Sequence, residues 1–360
     1  MKSVFISDCE GPISKNDNAF EITSRFVPEG DKLFTVVSRY DDVLAEVVKR
    51  PGYKPGDTLK LVLPFLKAYG VTDEKMREFS AENLLCIPNI KYTLKYIRSL
   101  GPAFIVSASY EHYLKTLCQA LEFPFENTYC TRLSIDKYNM QEKEKEELKQ
   151  ISKEIAKMPI FEIPSEAKSL NDLPKEDQKT VKDLDEIFWK KIAEMEIGKI
   201  YSDVNPVGGS EKAEAVKDIV HRLGAALADV MYVGDSITDD KAFKIVKQNG
   251  GLTVSFNGNQ YAVKNAEIAI LSENSVVTAV IADIFVRFGK QDALYLVKNW
   301  DRKTLEKGSV NRTLLNRLFK MYPGRLPKVK IITDQNMETM AKESSNFRNK
   351  VRGEAIGRLG

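Results

Sequence analysis

The sequence predicts an α/β fold built on a doubly wound parallel sheet. Three observations point there. Short apolar runs stop abruptly at polar clusters, helical periodicity fills the chain ahead of two of them, and chemically active side chains gather at the stops. The first run is Val4-Phe5-Ile6-Ser7, ending at Asp8. The second is Ala103-Phe104-Ile105-Val106, ending at Ser107. The third is Val230-Met231-Tyr232-Val233, ending at Gly234-Asp235. Runs of this length between turn residues read as buried parallel strands. Leu94, Ile97 and Leu100 share a helical face before the second strand; Ala213, Val216, Ile219 and Val220 do so before the third. Active sites of such sheets lie beyond the carboxyl ends of the strands, where all three clusters fall.

The intervals between clusters are too long for single crossovers. Ser107 follows Asp8 by 99 residues, and Lys212 follows Ser107 by 105. Connections within compact domains usually take only about 4–6 residues, so two inserts are expected. The chain divides into a catalytic core (1–13, 89–135 and 200–289), a helical cap (14–88), a second helical insert (136–199) and a basic extension (290–360). At about 100–200 residues per domain, 360 residues suggest two or three structural units. The overall charge of +3 conceals an asymmetry: residues 290–360 hold 16 Lys/Arg and 7 Asp/Glu, a net of +9. Leu314, Leu315 and Leu318 are expected to pack on the core, with Glu343 to Gly360 weakly structured. A solvated appendage, or a protein partner held through this tail, are the readings of it.

Composition narrows the chemistry. The 43% hydrophobic and 29% charged content belongs to a globular chain, not a disordered one. Two histidines exclude a multi-histidine metal centre, and four scattered cysteines without a CxxC pair exclude a zinc knuckle and suggest a reducing compartment. The small net charge argues against a nucleic-acid partner. No run of about 18 apolar residues is present, and the N-terminal run is too short for a signal peptide, so a cytoplasmic location off the membrane is expected. Oligomeric state is left open.

Asp8, Glu10, Ser107, Lys212, Asp235 and Asp239 would converge at the strand ends. Carboxylates crowded together need a cation, and oxygen donors without histidine favour Mg²⁺ over zinc. Lys212 supplies a fixed positive charge, and the remaining space suits a phosphate held by Ser107 and Lys212. Asp8 can attack phosphorus and become an aspartyl-phosphate, while Glu10 can protonate the leaving oxygen. Gly11 lets the backbone turn closely beneath the phosphate. Cys9, between two site residues, should face the other way and be buried.

At these residues the chain resembles the haloacid dehalogenase (HAD) superfamily. Asp8-Cys9-Glu10-Gly11-Pro12 is similar to its first motif, Ser107 to its second, Lys212 within Gly208-Gly209-Ser210-Glu211-Lys212 to its third, and Gly234-Asp235-Ser236-Ile237-Thr238-Asp239-Asp240 to its fourth. Phe256-Asn257-Gly258-Asn259 resembles the family's last strand and loop. The first motif also resembles that of archaeal HAD-like hydrolases. The resemblance implies a HAD-like Rossmannoid core with a C1-type cap, and a Mg²⁺-dependent phosphatase acting on a small phosphorylated metabolite. In it Asp8 is the nucleophile, Glu10 the general acid/base, and Ser107 and Lys212 position the phosphate. Asp8, Asp235, Asp239 and the Glu10 backbone carbonyl surround the metal. One departure stands out: the family's acid is usually Asp, and here it is Glu. That keeps two alternatives open. One is a HAD-fold binding or regulatory subunit with weak or lost turnover. The other is a phosphotransferase or phosphomutase using the same nucleophile.

Overall fold

The computed structural model describes residues 3–161, 163–164, 167–357 and 359. Seven strands form one sheet: β1 (Val4–Ser7), β2 (Ala103–Tyr110), β3 (Thr128–Thr131), β4 (Val230–Gly234), β5 (Leu252–Phe256), β6 (Ile268–Leu271) and β7 (Lys328–Ile331), in the order β3-β2-β1-β4-β5-β6-β7. All neighbours are parallel except β6 and β7. The order reverses between β1 and β4, so a crevice opens at their carboxyl ends. Asp8 and Asp235 flank that crevice.

Strand alternation sorts the side chains into two layers. Val4 and Ile6 face one side with Phe104, Val106 and Tyr232, packing on Val216 and Ile219 of α4 (Ser210–Leu223) and Phe243 and Val246 of α5 (Asp240–Gln248). Phe5, Ile105, Met231 and Val254 face the other side. They meet Leu94 and Ile97, and the apolar helix α6 (Val276–Phe288). Leu314, Leu315 and Leu318 join this second layer. The extension is therefore no appendage: it also adds β7, antiparallel at the sheet edge, with Val329 opposite Ile270.

Two sequence expectations need correction. Residues Glu343 to Arg352 are not weakly structured; they belong to a 16-residue helix, α7 (Met337–Arg352), which buries Met340, Ser344 and Arg348. The last two of its turns reach the crevice through Arg348 and Arg352. Arg358 and Gly360 lie outside the described residues, as do Glu162, Ser165 and Glu166 of the second insert. The second strand does not end at Ser107: β2 runs on through Tyr110, and the next helix begins at Glu111. A register shift between Val106 and Tyr110 kinks the strand there and keeps Ser107–Ser109 at the sheet edge.

The two inserts are not separate bodies. Phe20 and Ile22 of α1 (Asn18–Phe26), and Val36, Val37 and Tyr40 of α2 (Gly30–Asp42), share one apolar core with Leu148, Ile151 and Ile155 of α3 (Glu142–Ala156) and with Phe188. The Tyr40 ring stacks on Phe188 at 5.7 Å, and its hydroxyl accepts from the Trp189 indole at 2.8 Å. Residues 100 or more apart in sequence thus build a single helical lid over the crevice. It rests on the core where the carbonyl of Pro55 crowds Gly208, and where Lys54 pairs with Glu211 at 2.6 Å.

Candidate active site

The site is organised around one buried lysine. Lys212, in the first turn of α4, is fully buried and donates to Asp8 Oδ2 at 2.6 Å and Asp239 Oδ1 at 2.8 Å. α4 can begin so close to the sheet because Gly209 takes a left-handed turn, φ +48°, and its N–H donates to the Thr238 carbonyl. Burial alone would lower the lysine's pKa, but Asp239 and Asp8 outweigh it and hold the ammonium above its ordinary value. Lys212 is charged at any physiological pH.

The carboxylates differ in how far the chain satisfies them. Asp239 accepts from Lys212 and Tyr232 Oη on Oδ1, and from the Asp235 and Ser236 N–H groups on Oδ2. A carboxylate has about four acceptor sites, and those four donors use them. Its part is to hold the cluster together, which narrows the expectation of Asp239 as a metal ligand. Asp8 receives only Lys212 and the Cys9 N–H. Burial pushes its pKa to about 7 against the opposing pull of Lys212. Asp8, Asp235 and Asp239 each present an oxygen within 4.8 Å of the others. The Glu10 carboxylate stands apart from that cluster, accepting from the Asn18 N–H at 2.8 Å at the start of α1. Burial first, then the charge of Asp17, raise its pKa well above the ordinary carboxylate value.

Ser107 is buried and accepts from the Ser109 N–H at 3.2 Å. Cys9 packs away from the crevice into the second layer, and burial raises its thiol pKa. Gly11 has φ +107°, and a Cβ there would fall 2.1 Å from Asp235 Oδ2. The turn is tight against Asp235, which gives the glycine a different immediate neighbour from the phosphate it was expected to underlie. Gly11→Ala should therefore cost more than the about 1–3 kcal/mol of left-handed strain alone. Gly52→Ala, at φ +76° with open space around it, isolates that strain. Urea denaturation of the two variants checks this: equal losses would mean that Asp235 gives way freely.

Two residues went unforeseen. Arg348 and Arg352 of α7 both pair with Asp235 Oδ2, Arg352 at 3.2 Å. Their spacing of four along the chain, which sets both on one helix face, was the available signal; nothing local pointed that face at Asp235. A cavity of about 100 Å³ remains between core, lid and α7. It is lined by Asp8, Glu10, Ser107 and Asp235 below, Phe34 and Asp42 above, and the two arginines at the side. Pockets for drug-sized ligands run about 300–1,000 Å³, so this cavity is small by comparison.

An aspartate at the end of β1, a lysine opening a helix and a paired-aspartate loop after β4 thus meet at one edge of a mostly parallel sheet, in an α/β fold of the Rossmann-like kind. Residues 73–283 match the family model for haloacid dehalogenase-like hydrolases, and the chain belongs to that family. The matched stretch contains Ser107, Lys212, Asp235 and Asp239; Asp8 and Glu10 precede it. The chain is similar to gene product AF1437 from Archaeoglobus fulgidus, with TM-score 0.80 and 26% identity, over 100% of this chain and 99% of that one. A phosphoserine phosphatase in its apo form is similar over 76% of this chain and 96% of its own, with TM-score 0.42 and 16% identity. No curated protein matches the sequence. None of the described helices is long and apolar enough to cross a membrane.

Proposed function

We propose that the chain is a Mg²⁺-dependent phosphohydrolase acting on a small phosphate monoester through an aspartyl-phosphate on Asp8. The observation that carries this reading is the buried Lys212 bridging Asp8 and Asp239 beside Asp235. The donor set fits a hard divalent ion. Five carboxylates (Asp8, Glu10, Asp17, Asp235 and Asp239) face three cations (Lys212, Arg348 and Arg352), and the carboxyl pKa values of Asp8, Glu10 and Asp17 are all raised. Asp8, Asp235 and the Glu10 carbonyl would hold Mg²⁺, with Asp239 fixing the loop behind them. A bound Mg²⁺ would offset charge on the phosphate oxygens.

Asp8 attacks phosphorus as a carboxylate; the phosphorus–oxygen bond to the leaving alcohol breaks, and protonated Glu10 supplies the proton to that alcohol. The Glu10 carboxylate then takes a proton from water, which attacks the acyl-phosphate and restores Asp8. Lys212 offsets part of the burial penalty on ionised Asp8 and aims it, while Ser107 faces the phosphate. The closed lid keeps other water out.

The test is hydrolysis of p-nitrophenyl phosphate and a panel of metabolite phosphates, with Mg²⁺ and then with EDTA. Activity should vanish in EDTA. Glu10→Gln should slow formation of the acyl-phosphate, read as the first-turnover burst of released alcohol or p-nitrophenol, by about 10²–10⁴-fold on alkyl phosphates and far less on p-nitrophenyl phosphate, whose leaving group needs no proton. Equal losses on both in that first step would remove Glu10 as the acid; the later hydrolysis, where Glu10 is the base, should slow alike for both. A second reading, a regulatory protein with lost turnover, is favoured by the arginines on Asp235. Glu10→Asp separates the two: activity that appears only in this variant supports the regulatory reading, and a fall from a robust rate supports the enzyme.

A further inference from the structure

The feature that the proposed reaction does not use is the arginine pair on Asp235. Arg348 is buried, and every nitrogen of its guanidinium is committed: Nη1 to Asp235, Nε to the Gly357 carbonyl at 3.1 Å, and Nη2 to the Leu359 carbonyl at 3.3 Å. Arg352 is equally engaged. Nη1 reaches Asp235, Nε the Lys15 carbonyl at 3.0 Å, and Nη2 the Asn16 carbonyl. Of the five N–H donors on each guanidinium, most are spent on the protein itself. Both converge on one oxygen, Oδ2, of an aspartate that belongs to the three-aspartate cluster. The same arginines hold the turn after α7 and the strand-to-lid connection at residues 15–16.

We propose that Arg348 and Arg352 are positioning residues that act through Asp235: they compete with a divalent cation for its carboxylate and so set the cation affinity of the site. This rests on the reading of Asp235 as a cation ligand. A buried carboxylate needs compensating charge, and either two guanidinium groups or one divalent ion supplies it. Positive charge already held against the Asp235 carboxylate lowers its attraction for a second cation, so binding of one weakens the other reciprocally. When the cation takes Asp235, the grip on the turn after α7 and on residues 15–16 loosens. The lid hinge and the C-terminal helix then report on the metal.

The probe is Mn²⁺ titration of the full chain, followed by electron paramagnetic resonance, with Mg²⁺ as competitor. Arg348→Gln and Arg352→Gln should each tighten Mn²⁺ binding, by about 5- to 150-fold for coupling of ordinary size. Loss of a merely structural contact would weaken binding or leave it unchanged, and either result overturns the proposal. A variant that does not fold leaves a second measurement on the unmodified protein. Hydrogen exchange of α7 and residues 15–16 should speed up on adding Mg²⁺, and unchanged or slower exchange overturns the proposal. Tightening without turnover would support this inference while sinking the phosphohydrolase; turnover with unchanged Mn²⁺ affinity would do the reverse.

Discussion

Asp8→Asn should lose at least about 10³-fold in phosphate-ester hydrolysis while the protein stays folded, because the amide cannot form the acyl-phosphate. The substitution is nearly isosteric. Asn keeps one oxygen, which can still accept from Lys212, and loses the second acceptor, to which the Cys9 N–H donates in Asp8. It also removes a carboxylate whose pKa burial has raised to about 7, so its ionised form is disfavoured in the fold. The sign of the stability change follows. A carboxyl group with a raised folded pKa destabilises the native state as pH rises from its ordinary value of 3.8 towards 7. Asp8→Asn should therefore be relatively more stable, against the unmodified protein, at pH 8 than at pH 5. Lost hydrolysis with an intact fold, and no label trapped from ³²P-substrate, would support Asp8 as nucleophile. Retained hydrolysis would exclude it.

Lys212→Met should produce the largest stability loss of any single change at the site, about 3–5 kcal/mol by urea denaturation at neutral pH. The methionine fills the volume but leaves Asp8 and Asp239 without their common counterion. The damage is unequal. Asp239 keeps Tyr232 and two backbone N–H donors, whereas Asp8 keeps one N–H. Acid should relieve the loss, since protonated Asp8 no longer needs the charge; the deficit should shrink between pH 8 and pH 5. A deficit independent of pH would mean that packing, not charge, dominates at Lys212.

Much of the catalytic core was legible from local pattern. A short apolar run that stops at Asp8, and a Gly-Asp turn after another, announce strand ends because alternation and burial act over a few residues. Lys212 was legible for a similar reason. It lies in the first helical turn after two glycines, 23 residues before Asp235, the length of one helix and the strand after it. The four motif residues meet because parallel strands bring their carboxyl ends to one edge. Ser107 was placed correctly at that edge, but its strand continues three residues further than the apolar run suggested. Polar Ser107 and Ser109 break the hydrophobic signal without breaking the strand.

What the sequence determined by itself was the set of reacting groups and the edge that gathers them, since each is written within one strand, turn or helix start. Only the tertiary structure decided what covers that edge. Helical patterning marked both inserts as amphipathic, yet an apolar face does not name its partner, and Tyr40 finds Phe188 across almost 150 residues of sequence. The charge asymmetry had the same ambiguity. Sixteen cationic residues after residue 289 look like a solvated tail when counted. In the fold two of them reach the carboxyl end of the central strand β4 and settle on Asp235. Charge attracts charge without regard to sequence distance, and burial in a low-dielectric crevice makes that pairing specific; neither is visible until the chain has closed.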